Sequence, residues 1–251
     1  CFRSGWEGSD DFVGQVFLKA SLVKGWNHPE AGAFRLYGLG HPWVVGSYER
    51  VGFREQEPCV LLPLDDTAVG ACGRLAHRQV FPDGSGTLTI DLNDVYASAR
   101  SRLYDSNLLR LPEGFVDAGI RGLRAVAFDY SGKSGAPCLL VLVDKITGGQ
   151  ERWWQWTLDK DAVGRTKATA NGFAIDYGDA SLTATFVAPA QPKVEVLSEN
   201  ARLGQIGDGH RSYEGGLHRV KVVGREHFFV VATVQRKDAP AVKVEGAGLD
   251  A

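Results

Sequence analysis

Short apolar runs, separated by Gly, Pro, Asn and Asp, recur along the whole chain. Two of them, 87–92 and 217–222, alternate between apolar and polar residues, as a strand with one buried face does. The segments 139–143 and 228–232 are apolar on both faces, which is typical of central strands in a two-layer sandwich. The predicted strands lie at 12–18, 33–37, 43–45, 59–63, 87–92, 123–128, 138–143, 152–158, 181–187, 217–223 and 228–234.

Helical periodicity is weak throughout, and only 94–103 has a helical pattern. Strands at this spacing without intervening helices predict an antiparallel sandwich or barrel, and 31 glycines among 251 residues suit many turns. No repeat of fixed period is visible, which argues against a propeller or a solenoid. We therefore predict an all-β fold: a large two-layer antiparallel β-sandwich with few or no helices, formed by residues 1–251 as a single domain.

Two glycine-containing segments look like nucleotide-binding loops but lack the necessary context. Residues 127–134 end in Gly-Lys-Ser, yet Pro137 and a predicted strand follow where a phosphate-binding loop requires a helix. Residues 38–43 begin like a dinucleotide fingerprint and then lack its third glycine and its helix. Both segments are therefore predicted to be turns.

Charge and composition narrow the choice of partners. The chain has 28 Lys and Arg against 30 Asp and Glu, so bulk charge would not hold it to nucleic acid or to an anionic membrane. No window approaches the ~18 apolar residues that a membrane helix requires. We therefore expect neither a nucleic-acid partner nor a membrane partner.

The four cysteines are Cys1, Cys59, Cys72 and Cys138, and no two of them form a Cys-x-x-Cys pair. This excludes a zinc ribbon and a thioredoxin motif. Disulfides in three connectivities and free thiols both fit the sequence. Because Cys59 and Cys138 lie in apolar runs, free thiols are favoured.

The richest cluster of chemically active side chains lies at 24–37, where a polar loop runs directly into a predicted strand. The loop carries the indole of Trp26, the amide of Asn27, the imidazole of His28 and the carboxylate of Glu30. Loops held by a rigid sheet are where binding groups usually lie. The alternative is an ordinary surface loop with Trp26 as its hydrophobic anchor.

Residues 2–46 combine three features of one known module. The chain opens on Phe-Arg-Ser-Gly-Trp at 2–6, continues into a predicted strand at 12–19, and then carries His-Pro-Glu-Ala-Gly-Ala-Phe at 28–34. This loop is of the His-x-Asp-x-Gly-Ser-Phe kind. In these features the segment resembles the start of the β-sandwich module of heparinase II/III-like polysaccharide lyases. Weaker similarity continues at 54–63, 129–145 and 228–248.

The resemblance implies a longer protein. In that family an α/α toroid precedes the sandwich, and the active site lies between the two. Residues 1–251 would then be the C-terminal part of a chain whose upstream helical domain is a partner, and the opening Cys1-Phe2-Arg3 fits a cut fragment or a mature form. A secreted or periplasmic bacterial location is also implied.

The family's reaction is β-elimination at a uronic acid of an acidic polysaccharide or oligosaccharide. Because the C5 proton is very weakly acidic, the site must neutralise the neighbouring carboxylate, while a base removes the proton and an acid protonates the departing oxygen. By resemblance, the sandwich loop supplies an Asn/His pair, so Asn27 and His28 are the catalytic candidates. Trp26, Glu30 and His41 are candidates for substrate binding, although a histidine in a turn is more often structural.

The metal site of some family members is incomplete in this sequence. Trp26 occupies the place of a first histidine, Val44-Val45-Gly46 stands where an aspartate is expected, and Glu57-Pro58-Cys59 replaces a further histidine. Only His28 remains, with Glu57 as a candidate oxygen ligand, whereas zinc generally requires three or four protein ligands. No cofactor is therefore expected, and a structural divalent metal is the less favoured alternative.

Three tryptophans, Trp153, Trp154 and Trp156, lie in the predicted strand 152–158, where alternation places Trp154 and Trp156 on one face. Their rings could stack on sugars, so Trp154 is a substrate-binding candidate; core packing is the favoured alternative. Two functions follow from the whole sequence. One is the sandwich module of a lyase, and the other is a non-catalytic carbohydrate-binding or scaffold sandwich with a decayed site.

Overall fold

The fold is known from a computed structural model, which describes residues 1–19, 30–46, 57–61, 72–97, 117–149, 151–200, 216–225 and 227–246. These ranges contain sixteen strands, one short α-helix and one 3-10 helix. The strands are β1 (Phe2–Arg3), β2 (Val13–Val16), β3 (Phe34–Gly38), β4 (His41–Val44), β5 (Val60–Leu61), β6 (Arg74–Val80), β7 (Gly86–Asp91), β8 (Arg121–Asp129), β9 (Cys138–Thr147), β10 (Arg152–Thr157), β11 (Thr166–Thr169), β12 (Gly172–Asp176), β13 (Ala180–Ala188), β14 (Val194–Asn200), β15 (Gly216–Gly224) and β16 (Phe228–Arg236).

The strands form three antiparallel sheets. The largest has eight strands in the order β11-β12-β13-β16-β9-β8-β7-β6, and the two smaller sheets are β1-β2-β3-β4 and β14-β15-β10-β5. Aromatic contacts join the layers: Phe2 of the first small sheet packs on Phe128 of the large sheet, and Trp154 of the second packs on Phe186. Both small sheets thus cover the large one, which confirms the prediction of an all-β antiparallel sandwich.

The central strands follow the alternation that the sequence predicts. In β8 and β9 buried and less buried residues alternate along nearly the whole strand, and β13 and β16 do so over most of theirs. The inward positions of neighbouring strands lie in register, so their apolar side chains form one continuous layer in the large sheet.

The helices among the described residues are short. The α-helix α1 (Asn93–Ala97) falls in the segment predicted to be helical, whose residues 98–103 lie outside the described part of the chain. The 3-10 helix spans Lys160–Arg165, and the Asp159 carboxylate accepts a hydrogen bond from the backbone N–H of Asp161 at its start. Among the described residues, neither helix has the length and hydrophobicity of a transmembrane span.

Both glycine segments are turns, as predicted. Residues 130–137 connect β8 to its antiparallel neighbour β9, and residues 39–40 connect β3 to β4. In the second turn Leu39 and Gly40 have φ angles of +51° and +80°. All four cysteines are free, and Cys59 and Cys138 are buried, which agrees with the favoured interpretation of the sequence.

Hydrogen bonds, including one from the Thr157 hydroxyl to the Val45 carbonyl, join the end of β4 in one small sheet to β10 in the other. The backbone N–H of Val45, just after β4, donates to the carbonyl of Thr157 at the end of β10 (3.2 Å). The indole N–H of Trp156 donates to the carbonyl of Trp43 (2.7 Å). The two four-stranded sheets therefore act as one layer opposite the large sheet.

Trp154 and Trp156 share one face of β10, as alternation predicts, and both are fully buried. The ring of Trp154 packs edge-on against Phe186, with centroids 5.0 Å apart, and lies 6.5 Å from Phe173. Stacking on a sugar requires an exposed ring face, so the substrate-binding prediction for Trp154 is wrong. Core packing, the favoured alternative, is its role.

Replacement of Trp154 by alanine should therefore lower the free energy of unfolding by about 3–5 kcal/mol, the usual cost of removing a buried aromatic ring. The matched control is Trp153→Ala, because Trp153 lies on the other face of β10 and is only half-buried, with the Lys221 ammonium 3.8 Å from its ring. Urea unfolding should show the smaller loss for Trp153→Ala. Equal losses would contradict the assignment of Trp154 to the core.

The two buried indoles also differ in their N–H groups. Within the described part of the chain the N–H of Trp154 has no hydrogen-bond acceptor, whereas that of Trp156 donates to the Trp43 carbonyl. Removing an unsatisfied buried donor is less costly than breaking a buried hydrogen bond. Trp154→Phe should therefore destabilise the protein less than Trp156→Phe, by about 1 kcal/mol in chemical unfolding. The reverse order would contradict this hydrogen-bond assignment.

Candidate functional site

The described residues that come directly before and after positions 20–29 meet at one end of the sandwich. The N–H of Gly32 donates to the carbonyl of Phe17 (2.9 Å), and the N–H of Gly73 donates to the carbonyl of Leu18 (3.2 Å). A guanidinium group of β8 reaches the carbonyls of Gly32 and Pro58. We call this region, defined by Phe17, Leu18, Gly32, Pro58 and Gly73, the loop end.

Three predicted site residues, Trp26, Asn27 and His28, lie outside the described residues. Glu30, the first described residue after them, is half-buried, and its carbonyl accepts the N–H of Ala33 (2.7 Å). Ala31 and Ala33 are buried, so this segment is packed against the sandwich as it enters β3. Glu30 therefore lies close to the loop end.

A fully buried ion pair lies beneath the loop end. Arg124 of β8 and Asp144 of β9 are directly opposite each other in the sheet register, and neither side chain is accessible to solvent. The guanidinium donates from Nε to Oδ1 (2.6 Å) and from Nη2 to Oδ2 (2.8 Å). This is the two-pronged geometry that arginine forms best with a carboxylate.

The remaining guanidinium nitrogen of Arg124, Nη1, connects the large sheet to two other segments of the chain. Nη1 donates to the carbonyls of Gly32 (2.6 Å) and Pro58 (3.0 Å). Burial alone would lower the pKa of Arg124, but the charge and hydrogen bonds of Asp144 outweigh it and hold that pKa above its ordinary value. The arginine thus stays charged and fixes the position of the chain on both sides of the loop end.

Sequence reasoning missed Arg124 and Asp144, although a signal was present. Both lie at inward positions of strands whose other inward residues are apolar. Charged residues are almost never fully buried unless they are paired, so opposite charges at facing inward positions indicate a buried ion pair.

Glu57, the candidate oxygen ligand, is fully buried beside the loop end. Gly46 approaches it closely, since a Cβ built on Gly46 would lie 2.6 Å from both Glu57 Oε2 and Arg35 Nε. A larger residue at this position would therefore require the Arg35 and Glu57 side chains to move. In the described ranges no three His, Cys, Asp or Glu side chains are grouped so that they could hold a metal ion. Because His28 lies outside those ranges, the ligand set of His28 and Glu57 stays a hypothesis.

The structure places His41 away from the loop end. It follows the turn after β3, whereas Glu30 precedes that strand, so the two residues flank opposite ends of β3. The ring of His41 stacks on Tyr177 with centroids 4.1 Å apart, and its Nε2 lies 2.8 Å from Asp179 Oδ1. Glu30 and His41 therefore do not line one site through their described positions.

Two ionisable groups beside His41 have shifted pKa values. Burial raises the pKa of Tyr177 to about 12, and its hydroxyl donates to the Pro42 carbonyl (3.0 Å). The hydrogen bond with His41 lowers the pKa of Asp179. A cavity of about 340 Å³ is lined here by His41, Pro42, Asp159, Asp161, Arg165 and Tyr177.

Comparison with known proteins bears on the fold. No protein-family model matches the chain, and no curated protein matches it. The fold is similar to part of the crystal structure of the heparan sulfate lyase HepC from Pedobacter heparinus, with a TM-score of 0.59 and 16% identity over 97% of this chain. It is likewise similar to the heparinase III BT4657 gene product, with a TM-score of 0.60 and 14% identity over 95% of this chain.

The chain spans about a third of the length of these structures, 35% of HepC and 34% of the BT4657 product. At such identities the likeness establishes the fold. It confirms the resemblance noted in residues 2–46 and extends it to nearly the whole chain: this sequence forms a β-sandwich module of the kind found in heparinases.

The buried ion pair leads to a prediction about the free energy of unfolding. Arg124→Met leaves the Asp144 carboxylate buried without its partner and should lower the free energy of unfolding by about 3–5 kcal/mol. The double substitution Arg124→Met/Asp144→Leu removes both charges and should cost clearly less than the single one. Chemical unfolding of both variants checks this. A double variant less stable than Arg124→Met would contradict the ion-pair account.

Proposed function

We propose that this chain is the β-sandwich module of a polysaccharide lyase that cleaves uronic-acid-containing polysaccharide by β-elimination. The observation that carries the proposal is the likeness of fold to heparan sulfate lyases over nearly the entire chain. The Asn-His loop supports it, because position 30, just after that loop, lies at one end of the sandwich. The remainder of the site would come from an upstream helical domain.

The proposed chemistry assigns one task to each group. The Asn27 amide donates to the uronate carboxylate and stabilises the charge that develops when the C5 proton leaves. His28 donates to the same carboxylate or shares in the proton transfer. The proton-abstracting group belongs to the helical domain, so the module alone would lack it. Trp26 and Glu30 would contact the sugar beside the reacting unit.

Arg124 would act as a positioning residue in this scheme. It touches no substrate; its Nη1 holds the carbonyl of Gly32, four residues after His28, and that of Pro58, next to Glu57. Because catalytic groups must be held within a fraction of an ångström of their productive geometry, a buried anchor close to the loop favours precise placement.

A specific observation favours the alternative of a non-catalytic carbohydrate-binding or scaffold sandwich. Val44 and Val45, which stand where some family members carry a metal-ligating aspartate, are fully buried apolar residues. This position therefore serves the core, as expected if an ancestral metal site has been lost.

The expected partners and location follow from the proposal. The partner is an acidic polysaccharide or oligosaccharide, together with the helical domain of the same protein. A protein that acts on such polymers would be secreted or periplasmic in a bacterium. No cofactor takes part in the proposed steps.

The test uses the full-length protein. Asn27→Ala and His28→Ala should each lower kcat by about 10²–10³, the usual cost of losing a preorganised donor to developing charge, and should leave Tm nearly unchanged. The measurement is ultraviolet absorbance of unsaturated uronide against a panel of uronate polymers. His77→Ala is the matched control, since His77 is exposed in β6.

Two results would contradict the proposal in different ways. If both loop variants keep near-full activity, the site assignment is wrong. If the full-length protein releases no unsaturated product from any uronate polymer, the lyase function is wrong and the binding module is the better account. The 251-residue chain alone should show no turnover, and rates comparable to those of the full protein would contradict the shared site.

A further inference from the structure

A second cavity lies near the buried ion pair and has no part in the proposed reaction. It has a volume of about 760 Å³ and is bounded by the end of β9, the start of β10, the end of β15 and the start of β16. This volume lies in the range of small-ligand sites. Its lining consists of Ile146, Thr147, Gly148, Gly149, Glu151, Arg152, Arg225 and His227.

Among the described residues of this lining, the ionisable groups are mainly cationic. Arg152 and Arg225 contribute two guanidinium groups, and Glu151 contributes one carboxylate. Arg152 is buried, and its Nη2 donates to the carbonyl of Gly148 (2.7 Å). Arg225 is exposed and makes no ion pair with any described carboxylate. Its guanidinium can therefore bind an anion without first breaking a contact to the described residues.

The hydrogen bonding of His227 fixes which ring nitrogen carries the proton. The backbone N–H of Ile146 donates to Nδ1 (3.1 Å), so Nδ1 must present a lone pair. The proton of the neutral ring is then on Nε2, and for that atom the described part of the chain offers no acceptor. The half-buried ring therefore presents one fixed donor.

The cavity is close to the loop end. Ile146 lies two residues beyond Asp144 on β9, and Phe228, which follows His227, pairs with Asp144 in the sheet register. The wall at Gly148 and Gly149 is fixed by packing, because a Cβ on Gly148 would lie 2.3 Å from the Gly119 carbonyl oxygen. A polymer lying across this end of the large sheet could thus place one of its side groups in a preformed cavity.

We propose that this cavity binds an oxyanion of an acidic oligosaccharide, a carboxylate or a sulfate ester, with Arg225 and His227 as the contacting residues. A guanidinium beside a fixed N–H donor matches an oxyanion, since hydrogen bonds to charged acceptors are the stronger class. The class of oligosaccharide rests on the function proposed above. The oxyanion chemistry rests on the cavity itself.

The experiment is isothermal titration of the full-length protein at low salt. The probes are a heparan sulfate hexasaccharide, its desulfated counterpart and inorganic sulfate. Arg225→Ala and His227→Asn should each weaken hexasaccharide binding about tenfold, the effect of losing one hydrogen bond to a charged group. The Asn carbonyl can still accept the N–H of Ile146, so His227→Asn removes the ligand donor while it preserves the structural contact.

The matched control is Arg78→Ala, which removes an exposed arginine from β6 and the same unit of charge. It should change Kd less than twofold, as expected for a distant, screened charge. Equal weakening by Arg78→Ala and Arg225→Ala would overturn the proposal, as would unchanged binding in both cavity variants or no binding of any probe. If the effect persists with the desulfated probe, the oxyanion is the carboxylate; if it is confined to the sulfated probes, it is the sulfate ester.

These outcomes are separable from the lyase proposal. A full-length protein that forms no unsaturated product, yet loses hexasaccharide affinity on Arg225→Ala and His227→Asn, would refute the lyase function and support this site. Normal product formation together with unaltered hexasaccharide affinity in both variants would support the lyase function and refute this site.

Discussion

The buried pair of Arg124 and Asp144 is the constraint on which the loop end depends. It occupies inward positions in a layer that is otherwise largely apolar, and both side chains are inaccessible to solvent. Burying two charges in such a place costs several kcal/mol each in desolvation. This cost is offset only if the hydrogen-bond donors and acceptors of both groups are satisfied. The arginine meets this condition because its Nε and Nη2 donate to the Asp144 carboxylate and its Nη1 donates to two backbone carbonyls. The segments at Gly32 and Pro58 are thus held by an interaction that is costly to break.

The two ends of β3 serve different purposes. At the loop end, Gly32, Pro58 and Gly46 come together around buried charges and close backbone approaches. At the other end, His41 stacks on Tyr177 and binds Asp179, so it connects a hairpin of the small sheet to the large sheet. Between them, the two tryptophans of β10 fill the core. This division puts Glu30 and the ion pair at one end of β3, and it leaves His41 at the other end.

Much of the fold follows from the sequence because burial on one face imposes a period of two. The strands β8, β9, β13 and β16 were all predicted, since their inward positions are strongly apolar. The strand β6 was missed because all seven of its residues are exposed at the edge of the large sheet, where pairing with one neighbour leaves no apolar pattern. For the same reason β11, the opposite edge strand, was not predicted.

The site was harder to predict because it depends on which strands are neighbours. Trp154 was correctly placed on a face with Trp156, but only the packing of Phe173 and Phe186 shows that this face is closed to solvent. Arg225 and His227 were not predicted as site residues, because the cavity that they share with Arg152 exists only where β9, β10, β15 and β16 lie side by side. Local patterns specify a strand and its faces, whereas the register between distant strands decides which polar groups meet.

Arg124 and Asp144 hold the segments at Gly32 and Pro58 in place. Amide hydrogen–deuterium exchange of Arg124→Met/Asp144→Leu against the unaltered protein tests this most directly, because the double variant removes the anchor without leaving a buried charge. The account predicts faster exchange in peptides that cover residues 30–34 and 57–60, and unchanged exchange at 38–42, at the other end of β3. Identical exchange at 30–34 and 57–60 in the two proteins would contradict it.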